Sequence, residues 1–242
     1  VSNRIAPKIN ALIGFERSGR TDPKAYPRTP RQQSDAETAT DALRFVAEQN
    51  DFDTIRSDVS ENLFIEGCGA AVVNAVERPD GTIDVRAINV PWDRFYRDPY
   101  SRKRDFTDAT FIGVVLWMDE DDVLREFPGS DDAVTMSYGG NDTSSTGTYD
   151  DRPTWIWGER GRRRVRVLQH RWIEDGVWHT GTMCYGGWLD TPGPSPYLDE
   201  YGRPECDIIA TSAYCDRQNR RYGVVKNMLS PQDEINKRRS KA

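Results

Sequence analysis

The chain has 242 residues, of which 36% are hydrophobic and 30% are charged, and its net charge is −6. This length allows one large domain or two smaller ones, but the composition is polar for a compact globule, which favours long solvated loops, apolar surface completed by other copies, or both. The acidic balance argues against a protein that grips nucleic acid tightly, because such proteins carry a strongly basic face. No run approaches the roughly 18 apolar residues of a membrane helix and no signal peptide is visible, so we expect a protein made in a cytoplasm.

Both ends of the chain indicate a piece of a longer one. It begins at Val1 without an initiator methionine. A helical pattern still runs near Ala242, with no glycine or proline stop signal after it. We therefore expect an excised fragment or the ordered part of a longer protein.

The first third of the sequence predicts helices. Residues 1–34 indicate an N-terminal helix and then an extended segment, because apolar residues at helical spacing are followed by three prolines. A long helix is predicted from Ser34 to about Glu66, with a break near Asn50-Asp51. Its apolar residues define one stripe that we expect to be buried: Leu43, Val46, Phe52, Ile55, Val59 and Leu63.

The remainder predicts hairpins joined by loops and a few short helices. The predicted elements are a hairpin over 70–90, an irregular segment over 92–110, a strand over 111–117, a short helix over 119–127, an exposed mobile loop over 129–153, a hairpin over 165–185, a strand over 208–211 and a helix that restarts at Ser230-Pro231. The class is α+β, with long helices flanking antiparallel hairpin-built sheets. We divide the chain into 1–34, an α+β domain over 35–215, and a helical region over 216–242.

No catalytic motif is present. The sequence lacks a glycine-rich phosphate loop, a nucleophile elbow and a zinc-protease helix. His170 and His179 lie on opposite arms of the second hairpin, where they could approach each other and bind a metal, but no carboxylate or thiol at ligand spacing completes a site. Ordinary sheet surface is the favoured interpretation, and we expect neither a metal nor a cofactor.

Two groups of acids are weak candidates for chemistry. The run Asp119–Asp122 could attract Ca²⁺ or Mg²⁺, but it lacks the alternating ligands of a calcium loop and suits the start of a helix better. Asp105 and Asp108 could be a general acid and base, although spaced acids in a polar segment are common. We expect no enzyme.

A Trp-rich region surrounds the second hairpin. Its members are Trp155, Trp157, Trp172, Trp178 and Trp188, with Arg160, Arg162, Arg163 and Arg164 nearby. Aromatic rings beside a basic groove can bind single strands or sugars. The favoured interpretation is that the rings supply core and interface area in a chain short of aliphatic residues, and a carbohydrate- or nucleic-acid-binding module over 155–188 is the alternative.

Charge and helix coincide at the C-terminal end, where Lys237, Arg238, Arg239 and Lys241 lie on the last predicted helix. One interpretation is a solvated helix face. The other is a helix that packs against neighbouring subunits or faces a polyanion. The sequence does not separate the two.

Several segments resemble the portal proteins of short-tailed phages. They run from Val90 to Pro99, through Ser101-Arg102, from Asp105 to Ala109, from Trp117 to Asp119 and on to Phe127-Pro128, then through Ser195–Tyr197, Tyr214, Asp216-Arg217, Tyr222-Gly223 and Gln232–Ser240. The signature residues among them are Trp92, Asp93, Phe95, Asp98, Pro99, Asp105, Asp108, Trp117, Pro128, Pro196, Tyr197, Gly223, Gln232, Asn236, Arg238, Arg239 and Ser240. Together they cover most of the chain in the family's order.

The resemblance implies a structural head-to-tail connector without catalytic residues. Portal subunits form a ring, a dodecamer, at one capsid vertex of the virion, and are made in the bacterial host cytoplasm. Partners would be other copies of the chain, a separate terminase that pumps double-stranded DNA through the ring, and capsid and tail or adaptor proteins. The chain would be the N-terminal part of such a subunit, chiefly its wing, with 216–242 leading toward the channel. We expect weak binding of the passing duplex, since several fixed arginines per subunit would trap it.

Overall fold

The computed structural model describes residues 3–139, 158–159, 161 and 163–240. Its helices are α1 (Ile5–Ser18), α2 (Gln33–Gln49), α3 (Phe52–Ile65), α4 (Glu120–Glu126), α5 (Asp131–Gly139) and α6 (Val224–Arg239). Its strands are β1 (Cys68–Glu77), β2 (Ile83–Val90), β3 (Phe95–Arg97), β4 (Phe111–Asp119), β5 (Gly158–Glu159), β6 (Arg164–Glu174), β7 (Val177–Cys184), β8 (Gly187–Trp188), β9 (Gly193–Pro194), β10 (Ile208–Ser212), β11 (Tyr214–Cys215) and β12 (Arg221–Tyr222). The strands named here pair antiparallel, which confirms the predicted α+β class.

The chain forms two compact units. Unit 1 consists of residues 1–92, 102–107 and 207–242, and unit 2 consists of residues 93–101 and 108–206. The segment that we predicted as one α+β domain, 35–215, therefore contributes residues to both units.

Unit 1 contains a three-stranded sheet in the order β10-β1-β2, with α3 packed against it. The predicted hairpin is confirmed. Its turn closes where the Arg78 N–H donates to the Thr82 carbonyl at 2.8 Å, and Gly81 supplies the left-handed conformation with a φ of 78°. Gly69 allows the close approach of α3, because a Cβ atom there would lie 2.6 Å from the Val59 carbonyl oxygen.

The predicted break in the long helix is confirmed, and the side chain of Asn50 explains it. Its Nδ2 donates to the carbonyls of Val46 and Val85, each at 2.8 Å. Its Oδ1 accepts the Ala87 N–H at 3.0 Å, and Asp51 then takes a left-handed φ of 47°. The amide thus ties the helix break to strand β2.

The predicted buried stripe along α2 and α3 is wrong at Leu43 and Phe52, which are 47% and 39% exposed. The residues that α2 buries are Ala36 and Thr40. Thr40 Oγ1 accepts the Ala25 N–H at 3.0 Å, so α2 rests against the extended segment before it. Small side chains allow that close approach, and the larger apolar side chains Leu43 and Phe45 remain exposed.

Unit 2 contains a sheet in the order β3-β4-β6-β7-β8, with β5 beside β6 and β9 beside β7. The second predicted hairpin is confirmed. It turns through Asp175 and Gly176, whose φ angles of 51° and 77° are those of a two-residue type I′ turn. Helices α4 and α5 help to build the core of this unit, which consists of Val123, Val134, Val165, Val167 and Cys184.

Three segments contain more regular structure than predicted. Residues 131–139 of the predicted loop 129–153 form α5, because the buried Val134 anchors them in the core; residues 140–153 lie outside the described residues. Strand β3 lies inside the segment predicted to be irregular. The predicted restart at Ser230-Pro231 is wrong, since α6 runs from Val224 through Pro231. Packing of its first turns on α3 outweighs the one hydrogen bond that the proline removes.

Candidate functional site

A buried carboxylate, that of Asp98, organises the first group of signature residues in unit 2. Asp98 is 3% exposed. Its Oδ1 accepts the Tyr100 N–H at 2.8 Å, and its Oδ2 accepts the N–H and the hydroxyl of Thr110 at 3.0 and 2.7 Å. Burial opposes ionisation, but these hydrogen bonds outweigh it and hold the pKa of Asp98 below its ordinary value. The carboxylate thereby joins the end of β3 to the start of β4.

The two acids considered as an acid–base pair serve as hydrogen-bond acceptors instead. Asp108 Oδ1 accepts the hydroxyl of the buried Ser101 at 2.6 Å, within unit 2. Asp105 belongs to unit 1, where its Oδ1 accepts the N–H and the hydroxyl of Thr107 at 3.2 and 3.0 Å. Each carboxylate therefore fixes its own short turn.

Residues 102–107 are packed within unit 1. Phe106 is 3% exposed, and the Arg221 guanidinium lies 5.1 Å from the centre of its ring. The Arg104 carbonyl accepts the Ser212 N–H at 2.8 Å. The six-residue segment is thus held to β10 and to β12 by backbone and ring contacts.

The other signature residues of unit 2 do not join the group around Asp98. Phe95 and Trp117 lie in the sheet, opposite Val114 and Arg166. Asp93, Pro99, Pro128, Pro196 and Tyr197 lie in loops of unit 2, and Trp92 ends the adjoining segment of unit 1. The structure therefore distributes these residues instead of collecting them in one pocket.

The last signature residues lie just before, within and just after helix α6 in unit 1. Gly223 precedes the helix, and a Cβ atom there would overlap the carbonyls of Phe64 and Ile65, so only glycine fits. Gln232 Oε1 accepts the Arg4 N–H at 2.9 Å. The end of the helix and the residue after it carry Asn236, Arg238, Arg239 and Ser240.

A row of four residues crosses the sheet of unit 2. The strand register places Tyr96, Gly113, His170 and Gly181 side by side on β3, β4, β6 and β7. A Cβ atom at Gly113 would overlap the Tyr96 ring, so the glycine lets that ring reach across, and Tyr96 Oη lies 2.8 Å from His170 Nδ1. At Gly181 a Cβ atom would lie 2.6 Å from the Trp188 ring. Two glycines without side chains thus make room for the rings of Tyr96 and Trp188 on the two sides of His170.

The two histidines do not meet across the hairpin. Trp172 pairs with His179 in the register, and its ring stacks on both imidazoles with centroid distances of 5.5 Å. The indole therefore separates His170 from His179. Within the part of the chain that the structure describes, no three His, Cys, Asp or Glu side chains are grouped so as to hold a metal ion.

The Trp-rich region does not form an open stacking platform among the described residues. The faces of the Trp172 ring contact the two imidazoles, and Trp178 points to the opposite side of β7 because side chains alternate along a strand. Trp188 is 43% exposed but tilts against Trp172 at 5.5 Å. Trp155 and Trp157 lie outside the described residues.

The acidic run and part of the arginine cluster neutralise each other. The ion pairs are Asp119–Arg164 at 3.0 Å, Glu120–Arg163 at 3.2 Å, Asp121–Arg163 at 3.6 Å and Asp122–Arg125 at 2.5 Å. The Arg163 guanidinium and the Tyr138 hydroxyl hold the pKa of Glu120 below its ordinary value. Arg160 and Arg162 lie outside the described residues. These charges pair across the start of α4, which favours a helix start over a cation or nucleic-acid site.

Comparison with known families supports a structural interpretation of these contacts. Residues 1–242 match the model of the Phage P22-like portal protein family. The chain belongs to this family. No curated protein is similar enough to the chain to count as a match. The portal family is a family of structural phage proteins that assemble as homo-oligomeric rings in the capsid, so the predicted resemblance to portal proteins is confirmed.

Sequence reasoning missed the contacts that hold the portal chain's signature segments in place. The side-chain partners of Asp98 lie up to 12 residues away, and nothing in the spacing identifies Thr110 as one of them. The row around His170 could have been predicted from its glycines, because a glycine inside a strand often marks a position where another group approaches closely. Gly113 and Gly181 both lie inside strands, and both admit a ring.

We expect Asp98→Ala to lower the free energy of unfolding by about 2 kcal/mol, because it removes the buried acceptor of three part-buried hydrogen bonds from Tyr100 and Thr110. Urea denaturation of the purified chain measures this. Asp93→Ala is the matched control, an exposed neighbouring acid whose loss should change stability by less than about 0.5 kcal/mol. The pKa of Asp98 is lowered on folding, so its ionisation stabilises the fold above about pH 4, and this part is lost as the pH falls through the folded pKa. Equal stability of the two variants would contradict the role given to Asp98.

We expect the portal chain to lose stability as the pH falls from 7 to 5, in part through His170. Burial and the nearby Arg171 lower the pKa of this imidazole, so the unfolded chain takes up a proton near pH 6.5 that the folded chain resists. His170→Asn keeps an acceptor near the Tyr96 hydroxyl but cannot titrate, and it should remove about 1 kcal/mol or less of the pH dependence. Thermal melts across this range measure the effect, with His179→Asn as control. Identical pH profiles for wild type and His170→Asn would show that His170 is not responsible.

Proposed function

We propose that this chain is the N-terminal part of a subunit of the ring-shaped portal at one vertex of a phage capsid. A separate terminase motor would package DNA through the ring, and the tail or its adaptor proteins would attach to it. The observation that carries the proposal is the match to the portal family over residues 1–242. The paired charges at the start of α4 and the self-stacked aromatic row agree with a structural role without a catalytic site, metal or cofactor.

Within that subunit we propose the following division. Residues 35–215 form chiefly the outer wing, preceded by an N-terminal helix and extended segment over 1–34. Residues 216–242 lead toward the channel. The full-length subunit would form a dodecamer.

The channel is proposed to bind the passing duplex only weakly. B-form DNA carries one charge per about 1.7 Å, so fixed, unpaired arginines would hold it in place. In this chain a net charge of −6 and ion pairs such as Arg163–Glu120 and Arg164–Asp119 reduce that attraction.

Negative-stain electron microscopy of the full-length gene product, with its native mass, tests the proposed assembly. We expect rings with a central hole about as wide as a DNA duplex. A homogeneous monomer or dimer across a range of salt and protein concentrations would count against the portal function. The alternative, a carbohydrate- or nucleic-acid-binding module over 155–188, would then be examined by glycan screening.

Duplex DNA binding by the 242-residue chain tests the weak-channel proposal. At physiological salt we expect affinity no stronger than the non-specific range, with a Kd of about 10⁻⁴–10⁻⁶ M, because the chain carries a net charge of −6. Fluorescence anisotropy with a labelled duplex measures it at low and physiological salt. Nanomolar binding that survives physiological salt would contradict the proposal and leave the ring assembly itself untouched.

A further inference from the structure

Helix α2 carries a broad apolar side that the described residues leave exposed. Ala39, Ala42, Leu43, Phe45 and the partly exposed Val46 lie within an arc of about 160° at the usual 100° per residue, which Asp35, Thr38 and Gln49 share. Leu43 is 47% exposed and Phe45 is 64% exposed. An amphipathic helix normally buries such a side, so this one is suited to contact a partner.

The surroundings of this apolar side are acidic. Asp35, Glu37, Asp41 and Glu48 are exposed on α2, and Arg44 is its only basic residue, which gives four negative charges against one positive charge, or −3. Three of the acids, Asp35, Glu37 and Asp41, lie in the first half of the helix. Phe45 lies in its second half. The helix therefore presents acids first and a large apolar residue after them.

Helix α6 presents the opposite arrangement. It buries no residue, and Leu229 in its first half is 52% exposed. Lys237, Arg238 and Arg239 follow in its last turn and are all exposed. The long stems of such basic side chains can lie along apolar surface while their charges pair with acids. Asp233 and Glu234 lie between these two groups, and Arg238 pairs with Glu234. With Lys226 the helix carries four positive charges against two negative ones, or +2, so its net charge is opposite to that of α2.

The spacing of the two surfaces matches. On α2, Glu37 and Phe45 are eight residues apart, or about 12 Å at 1.5 Å per residue. On α6, Leu229 and Lys237 are likewise eight residues apart, or about 12 Å, so the two pairs have the same offset of about 80° around their helices. If the helices run antiparallel, the acids lie opposite the basic turn when Phe45 lies opposite Leu229.

We propose that the outward side of α2 in one subunit docks antiparallel on α6 of the neighbouring subunit. The proposal rests on the proposed ring assembly and names the surfaces that build it. Because the two surfaces consist of different residues, the contact is head-to-tail, the type that closes into rings. The apolar residues supply the buried area, and the opposite charges fix the register.

Compensating charge reversals in the full-length protein test this pairing. The first variant is Asp35→Lys with Glu37→Lys and Asp41→Lys, the second is Lys237→Glu with Arg238→Glu and Arg239→Glu, and the third combines both sets. Each of the first two should raise the protein concentration needed for ring assembly about tenfold or more, because like charges then oppose each other. The combination should restore assembly toward the wild-type value. Native mass and negative-stain images of the rings give the readout, and circular dichroism checks folding.

The matched control for the α2 variant is Asp58→Lys with Glu66→Lys and Glu77→Lys. It changes the net charge by the same amount as the α2 variant, at exposed positions outside both surfaces. It should assemble like wild type. Phe45→Ser, at an exposed position, should weaken assembly without lowering the melting temperature.

Several outcomes would overturn the pairing. Normal rings from both reversed variants would place the contact elsewhere and leave the portal function standing. Failure of the combined variant to recover, with both sets folded, would show that α2 and α6 do not face each other. Loss of DNA binding but not of assembly in the α6 variant would assign its basic turn to a polyanion. If wild type itself forms no ring, the proposed function fails, which is a distinct result.

Discussion

The hydrogen bonds of one buried carboxylate hold the most recognisable part of this sequence in shape. Asp98 accepts bonds from both ends of a loop, at Tyr100 and at Thr110. The strand before the loop and the strand after it then pair with each other in the sheet of unit 2. Without those bonds the loop would lose three hydrogen bonds to one buried acceptor, and the register that places Tyr96 opposite Gly113 would lose its anchor. The aromatic row of the sheet depends on that register.

The same register explains why the aromatic residues around Trp172, among those that the structure describes, form no open stacking platform. Glycines on either side of His170 in the register make room for the rings of Tyr96 and Trp188, and Trp172 stacks with both histidines. Ring faces that contact each other are not open to a sugar or a base. The acidic run is likewise occupied by contacts within unit 2, because Glu120 pairs with Arg163 and Asp119 pairs with Arg164. These groups hold the fold together, and surface for partners remains elsewhere, on helices such as α2 and α6.

Local patterns were sufficient to predict much of the fold. Both hairpins, their turns, the strand before α4 and the break at Asn50 follow from short-range rules about glycine, proline and alternating apolar residues. Errors arose where packing decided. Leu43 has helical spacing but remains exposed, because α2 buries its small residues against an extended segment; Phe52, at the start of α3, is also exposed. Helix α5 lies in a polar stretch and is fixed by one deeply buried residue, Val134.

By itself, the sequence determined the α+β class, the hairpins and the membership of the portal family, because these depend on local periodicity and on a match that runs along the whole chain. Only the tertiary structure decided which residues meet. It separated His170 from His179 by an indole, paired Glu120 with Arg163, and placed Thr110 on Asp98. Such contacts join residues far apart in sequence, and their choice depends on strand register and close packing, which no spacing along the chain encodes.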